Sequence, residues 1–221
     1  MPLLLHSEYH AGVVTKLSYM ILASLLLCCG LSCQTPSARS DPIPRAARVE
    51  RNGSDPSAAK REPLKLPLAT PSIVVKKGAR QLLLFSAGKL VRTYRVGLGL
   101  SPVGDKVRSG DHRTPEGNFY IFTKNPQSAF YVSLGVSYPN VEHGQRGLRD
   151  GLITKAQYAR IVDAVQRKNT PPQNTRLGGT IYIHGRGAGS DWTWGCVALD
   201  DADIKELYDA VEVRTPVKIE P

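Results

Sequence analysis

The stretch Ile181-Tyr-Ile-His184-Gly-Arg-Gly-Ala-Gly-Ser-Asp191-Trp-Thr193-Trp194-Gly195-Cys196-Val-Ala-Leu-Asp200 changes character twice. It opens on alternating β-branched and aromatic residues, which read as a strand running into His184. Four small residues flank Arg186 and return the chain toward Cys196. Asp200 or Asp201 then caps a helix in which Ile204, Leu207, Tyr208 and Val211 recur at i, i+3, i+4 and i+7. His184 and Cys196 stand twelve residues apart, a separation that lets the two side chains meet across the loop.

The same patterns extend upstream. Ser72-Ile-Val-Val-Lys and Gln81-Leu-Leu-Leu-Phe85 are strand-like, and Ala87-Gly88 reads as a hairpin turn into Lys89–Val96. Asn118–Phe122, Ala129–Ser133, Gly179–Ile183 and Val213–Ile219 are further strands, the last interrupted or bent at Pro216. Thr154 caps a second helix over Lys155–Lys168, with Tyr158, Ile161, Val162 and Val165 on one face. The expectation is a mainly β domain with two helices, from residue 71 to residue 221.

The remainder of the chain reads differently. Residues 34–70 hold Pro, Ser, Ala and charged residues and no aromatic, so they bury too little apolar surface to offset their ordering entropy. They read as a flexible tether. Residues 17–32 are apolar and uncharged, short for a spanning helix, and read as the core of an export signal over 1–33. Cys33 follows Gly30-Leu31-Ser32 as in a lipoprotein processing site, which makes it the candidate lipidation residue. A plain signal peptide or an uncleaved anchor is the alternative. The expected location is the periplasm or cell envelope, with membrane contact only through an N-terminal anchor.

The four cysteines are Cys28, Cys29, Cys33 and Cys196. With the first three in the export signal, Cys196 is left as the one thiol of the mature domain. That excludes a disulfide framework, and no Cys-x-x-Cys suggests a zinc ribbon. The net charge of +10 is scattered rather than run together, and it selects no nucleic acid partner. Gly-Arg-Gly-Ala-Gly lacks the full nucleotide-loop fingerprint and its β-α-β context.

A cysteine beside a histidine is a nucleophile with its base. A free thiol, with a pKa of about 8.5, is only a few per cent thiolate at neutral pH, and an imidazole can take its proton and return one to a leaving amine. Gly195 lets a substrate approach the backbone, and the Gly195 and Cys196 amides can receive an oxyanion. The following helix start adds a favourable dipole. The bland alternative is a buried structural cysteine and an unrelated structural histidine.

Thr193-Trp-Gly-Cys after His184-Gly185 resembles the signature of the L,D-transpeptidase (YkuD-type) family. Thr114-Pro-Glu-Gly117 resembles the family's turn before a central strand. Ser137-Tyr138-Pro-Asn140 and Asp191-Trp-Thr are similar to one branch of it. The likeness runs from about residue 72 to 219. It implies a β-sandwich catalytic domain that needs no cofactor and no metal. It also implies a Cys196 thioester formed from the stem tetrapeptide of peptidoglycan, with His184 as base and then acid, in cell wall biogenesis. It implies that a backbone carbonyl orients the imidazole, leaving Asp191 to fix the loop. Gly185, Arg186, Thr193, Trp194 and Tyr138 are the remaining candidates for substrate or loop support. Many members carry Arg two residues after the cysteine; here that residue is Ala198, and Arg186 is the candidate substitute.

The acyl acceptor can be another stem peptide, a lipoprotein lysine or a free D-amino acid. Water would make the protein a carboxypeptidase or an amide hydrolase. Two other classes stand beside this one. A zinc peptidase would use His112, His143 and His184 with Asp111 or Glu142, without the usual paired-histidine spacing. A wall-binding lipoprotein would keep the fold without turnover.

Overall fold

The computed structural model describes residues 61–221. The export signal, the lipidation candidate Cys33 and the tether as far as residue 60 lie outside the described residues. Eight strands form one sheet in the order β3-β2-β1-β8-β4-β5-β6-β7. They are β1 (Ser72–Lys76), β2 (Gln81–Ser86), β3 (Lys89–Arg95), β4 (Gly117–Ser128), β5 (Tyr131–Val136), β6 (Tyr182–His184), β7 (Val197–Ala198) and β8 (Pro216–Glu220). Three helices join them: α1 (Val141–Arg149), α2 (Lys155–Gln166) and α3 (Asp201–Ala210).

Local chemistry sets each join. β2 and β3 meet through Ala87 and Gly88, whose φ angles of 48° and 75° supply the two positive values that a type I′ turn requires. Pro216 lacks an N–H and begins β8 rather than bending it; the strand then lies parallel to β1 and antiparallel to β4. β4 does two jobs. Gly117–Tyr120 pairs with β8, and from Ile121 onward the strand pairs with β5 through two register shifts. Such irregularities bend a strand and increase its twist.

The expected sandwich is therefore a single sheet curled on itself. The chain leaving β3 returns to the far edge, where Gly97 and Ala198 exchange hydrogen bonds of 2.9 and 2.8 Å and Gly99 bridges Thr193. Inside the curl, alternate residues meet: Ile73 and Val75, Leu82 and Leu84, Leu134 and Val136, Val217 and Ile219, closed by Ile204 and Leu207 of α3. Each such side chain contributes about 1.5–3 kcal/mol when fully buried.

Three differences from the sequence reading have physical causes. α1 is an additional helix. Its sequence, VEHGQRGLR, shows no apolar stripe because its packing face is two glycines. A Cβ on Gly147 would lie 2.7 Å from Leu177, and one on Gly144 would lie 3.0 Å from Tyr158. Asn140 caps it, accepting the His143 N–H at 3.0 Å. Second, Ala129 and Phe130 turn the β4–β5 hairpin instead of starting β5. Third, the described end of the expected tether, residues 61–70, lies on the domain. Arg61 pairs with Asp203 at 2.5 Å, and Leu64 and Leu68 pack against the core. α2 carries the full capping box of Thr154 and Gln157, and buries Ile161 against Ile153 and Leu177 in a small second core.

Candidate active site

β6 and β7 run parallel, with Ile183 opposite Val197 and His184 opposite Ala198. Cys196 immediately precedes β7, and its sulfur lies against the backbone that leads into β6, at Thr180 and Tyr182. The parallel pairing thus brings the chain at Cys196 alongside the strand that ends in His184.

His184 is 2% exposed. Its Nδ1 lies 2.8 Å from the carbonyl oxygen of Gly185. A carbonyl only accepts, so Nδ1 carries the proton and Nε2 keeps its lone pair. Burial lowers the imidazole's pKa from its ordinary value of 6.5, and the Gly185 hydrogen bond acts in the opposite direction. Phe130 packs on the ring with centroids 4.6 Å apart, and Trp192 meets it edge-on at 5.6 Å.

Cys196 is half-buried. Its sulfur accepts the Tyr182 N–H at 3.4 Å, and its S–H faces the Thr180 carbonyl at 3.5 Å. Among the described residues it makes no hydrogen bond to His184. Burial raises the thiol pKa, while the Tyr182 N–H and the positive charge of Lys106 act against that rise. The resting site therefore holds a protonated thiol and a neutral imidazole.

Thr193 ties the loop around the nucleophile. Its hydroxyl accepts the Gly195 N–H at 3.1 Å and donates to the Cys196 carbonyl at 2.8 Å. That occupies one of the two amides expected to form the oxyanion hole. The Cys196 N–H has no acceptor among the described residues. Gly195 has a φ of 122°, and a Cβ there would lie 2.6 Å from the Arg113 carbonyl oxygen, so the position requires glycine. Asp191 receives Arg80 through both carboxylate oxygens and the Leu98 N–H at 2.9 Å, which anchors the loop to the β1–β2 turn and to the strand extension.

The other candidates divide. Gly185 donates its N–H to Phe130 at 3.0 Å. Arg186 donates its backbone N–H to Asp201 at 2.7 Å, and its guanidinium has no hydrogen bond among the described residues. Trp194 is 77% exposed and stacks on His112 at 5.8 Å. Tyr138 is fully buried and bonds to the Leu177 carbonyl at 3.0 Å, so it supports the fold and meets no substrate. Ala198 is also fully buried, opposite His184 and bonded to Gly97. The start of α3 serves the loop rather than the nucleophile: Asp200 and Asp201 accept the N–H groups of Ala188 and Arg186.

The three histidines of the zinc reading stand apart in their bonding. His112 lies on Trp194, and His184 is held by Gly185. The two nitrogens of His143 face Asn140 Oδ1 and, at 3.1 Å, Asp105. Among the described residues no three His, Cys, Asp or Glu side chains are grouped to hold a metal ion. The Asp105–His143 pair is a half-buried strut instead. Burial would raise the Asp105 carboxyl, but His143, the Glu116 N–H and Arg146 together hold it well below the usual range. Phe130, Trp192 and Lys106 were not singled out from sequence as site residues. An aromatic residue at a hairpin tip is the one signal that Phe130 gives.

The chain resembles known proteins in fold and, over most of its length, in sequence. Among solved structures, an L,D-transpeptidase from Mycobacterium smegmatis aligns at 14% identity with a TM-score of 0.42, over 69% of this chain and 59% of that one. The helical cell shape determining protein Pgp2 from Campylobacter jejuni aligns at 22% and 0.45, over 69% and 47%. Bd1075 from Bdellovibrio bacteriovorus aligns at 22% and 0.44, over 69% and 48%. The chain spans less than two thirds of the length of each. No curated protein sequence matches. The family model described as YkuD, L,D-transpeptidase catalytic domain, matches residues 70–219. That match takes in most of the chain, both halves of the curled sheet and the His184–Cys196 loop, and the protein belongs to the family of L,D-transpeptidase catalytic domains.

Proposed function

We propose that the protein is a cysteine acyltransferase acting on peptidoglycan stem tetrapeptides. One observation carries the reading: the His184 Nδ1–H is committed to Gly185 O, so Nε2 is a proton acceptor, on the strand paired with the one that Cys196 immediately precedes. After the thiol turns from Thr180, His184 takes its proton and the sulfur attacks the carbonyl of the third stem residue. The Cys196 N–H receives the oxyanion. The C–N bond to the terminal D-alanine breaks, and the departing amine leaves with the proton from His184. An incoming amine of a second stem peptide, or of a lipoprotein lysine, then displaces the sulfur and restores the thiol. Water in that step would yield a tripeptide.

Family membership and the placement of the pair support this reading. The test is mass spectrometry of the purified full chain in detergent with disaccharide-tetrapeptide, beside Cys196→Ala. Loss of D-alanine with a cross-linked dimer, both absent from Cys196→Ala, is expected. Tripeptide alone would make the protein a carboxypeptidase. Turnover that survives in Cys196→Ala would remove the cysteine mechanism, and no change with either protein would reject tetrapeptide as the donor.

A further inference from the structure

The β4–β5 hairpin ends over the catalytic imidazole. Ser128 pairs with Tyr131 across the turn, and the Ser128 hydroxyl accepts the Phe130 N–H at 3.1 Å. The Phe130 carbonyl in turn accepts the Gly185 N–H at 3.0 Å, and a Cβ on Gly185 would lie 2.9 Å from that oxygen. The hairpin tip is thus bonded to the residue that orients His184. Its ring lies 4.6 Å from the imidazole centroid, tilted by 32°. Trp192 closes another side. It sits 5.6 Å from His184 and 5.9 Å from Phe130, with its indole N–H on the Gly187 carbonyl at 3.1 Å. Phe130 remains 43% exposed while the imidazole beneath it is 2% exposed. A large apolar ring half in water gains little for stability where it stands. What it does gain is the exclusion of water from His184.

We propose that Phe130, with Trp192, is a positioning residue: the two rings clamp the His184 imidazole so that its Nδ1–H stays on Gly185 O and Nε2 alone is offered to the Cys196 proton. The catalytic meaning of the clamp rests on the acyl-transfer reading above; the clamp itself is a property of the fold. The charged groups around the ring are engaged elsewhere. Asp200 and Asp201 hold the Ala188 and Arg186 N–H groups, Asp191 is paired with Arg80, and Tyr131 and Arg186 are on the solvent side. Burial is thus the main influence that keeps the ring neutral, and Phe130 and Trp192 both pack on that ring.

The test follows His184 directly, by NMR titration of its ring carbon signals in the full chain, and in parallel measures turnover of tetrapeptide against pH. In the wild-type chain the imidazole titrates below its ordinary 6.5, and the acid limb of kcat follows it. Phe130→Ala admits water, moves that midpoint upward toward 6.5 and carries the acid limb to higher pH. It lowers kcat by about 10–100-fold through lost orientation, with KM little changed. Phe130→Tyr keeps the ring and restores both readouts. A Phe130→Ala protein that folds, with the His184 midpoint and the acid limb unmoved, overturns the proposal. The titration needs no substrate. A wild-type chain that leaves tetrapeptide untouched therefore rejects the acyl-transfer reading, while the midpoint shift still decides the clamp.

Discussion

Thr193 uses both hydrogen-bonding functions of one hydroxyl on the backbone around Cys196, accepting from Gly195 and donating to the Cys196 carbonyl. Thr193→Val keeps the shape and leaves both groups unpaired in a buried loop. A loss of about 1–3 kcal/mol in stability is expected by urea denaturation, with a fall in kcat, while Thr193→Ser retains most of both. An unchanged urea midpoint for the valine variant would show the loop held by its other ties. At this scale much was legible. The twelve-residue separation of His184 and Cys196 was compatible with a meeting across the loop, and Gly195, read as a position of close approach, is one where a Cβ would crowd the Arg113 carbonyl. Other features have no local signature. The Thr180 and Tyr182 backbone groups that hold the thiol, and the Gly195 amide already taken by Thr193, follow from how the loop returns to β6.

Elements were legible where side chains announce their period. β1, β2, β3 and the Ala87-Gly88 turn sit where alternation and turn chemistry put them, and the packed faces of α2 and α3 hold their predicted residues except Val162, with Ala164 and Ala210 buried as well and Val211 standing just past the end of α3. α1 has no such signal, because it packs through backbone at Gly144 and Gly147 and through the polar ring of His143. A helix that packs through missing side chains is sensitive to added ones. Gly147→Val would place atoms against Leu177, itself 1% exposed, and is expected to destabilise the chain by about 1–3 kcal/mol in thermal or urea denaturation, with His184 and Cys196 unaltered. A neutral result would mean that Leu177 yields. The Ala129–Phe130 difference has the opposite cause. Those residues have strand-like composition, but Phe130 meets His184, which lies 54 positions along the chain by residue number, and tertiary contact overrides local preference.

The whole molecule was the hardest to read. Strand order inserts β8 between β1 and β4, and the curl is closed by Gly97 meeting Ala198, so both depend on partners far apart in sequence. The N-terminal reading belongs to this scale as well. Residues 17–33 motivate the proposal that the chain is exported and held in the envelope, with Cys33 carrying the lipid. Fractionated cells should show the protein with the membranes, and Cys33→Ala should release it to the soluble envelope fraction. Recovery of the wild-type chain from the cytosol would end that proposal.

A curled sheet also settles how its margins behave. An open sheet presents a row of unpaired N–H and C=O groups at each end, a template onto which another extended chain can add. Here the short margin beside Cys196 is taken up by the molecule's own Gly97–Gly99 segment. A peptide that reaches the thiol must therefore be recognised by side chains and loop amides rather than by joining the sheet as one more strand. The same seam keeps two copies of the protein from templating each other along their reactive edge.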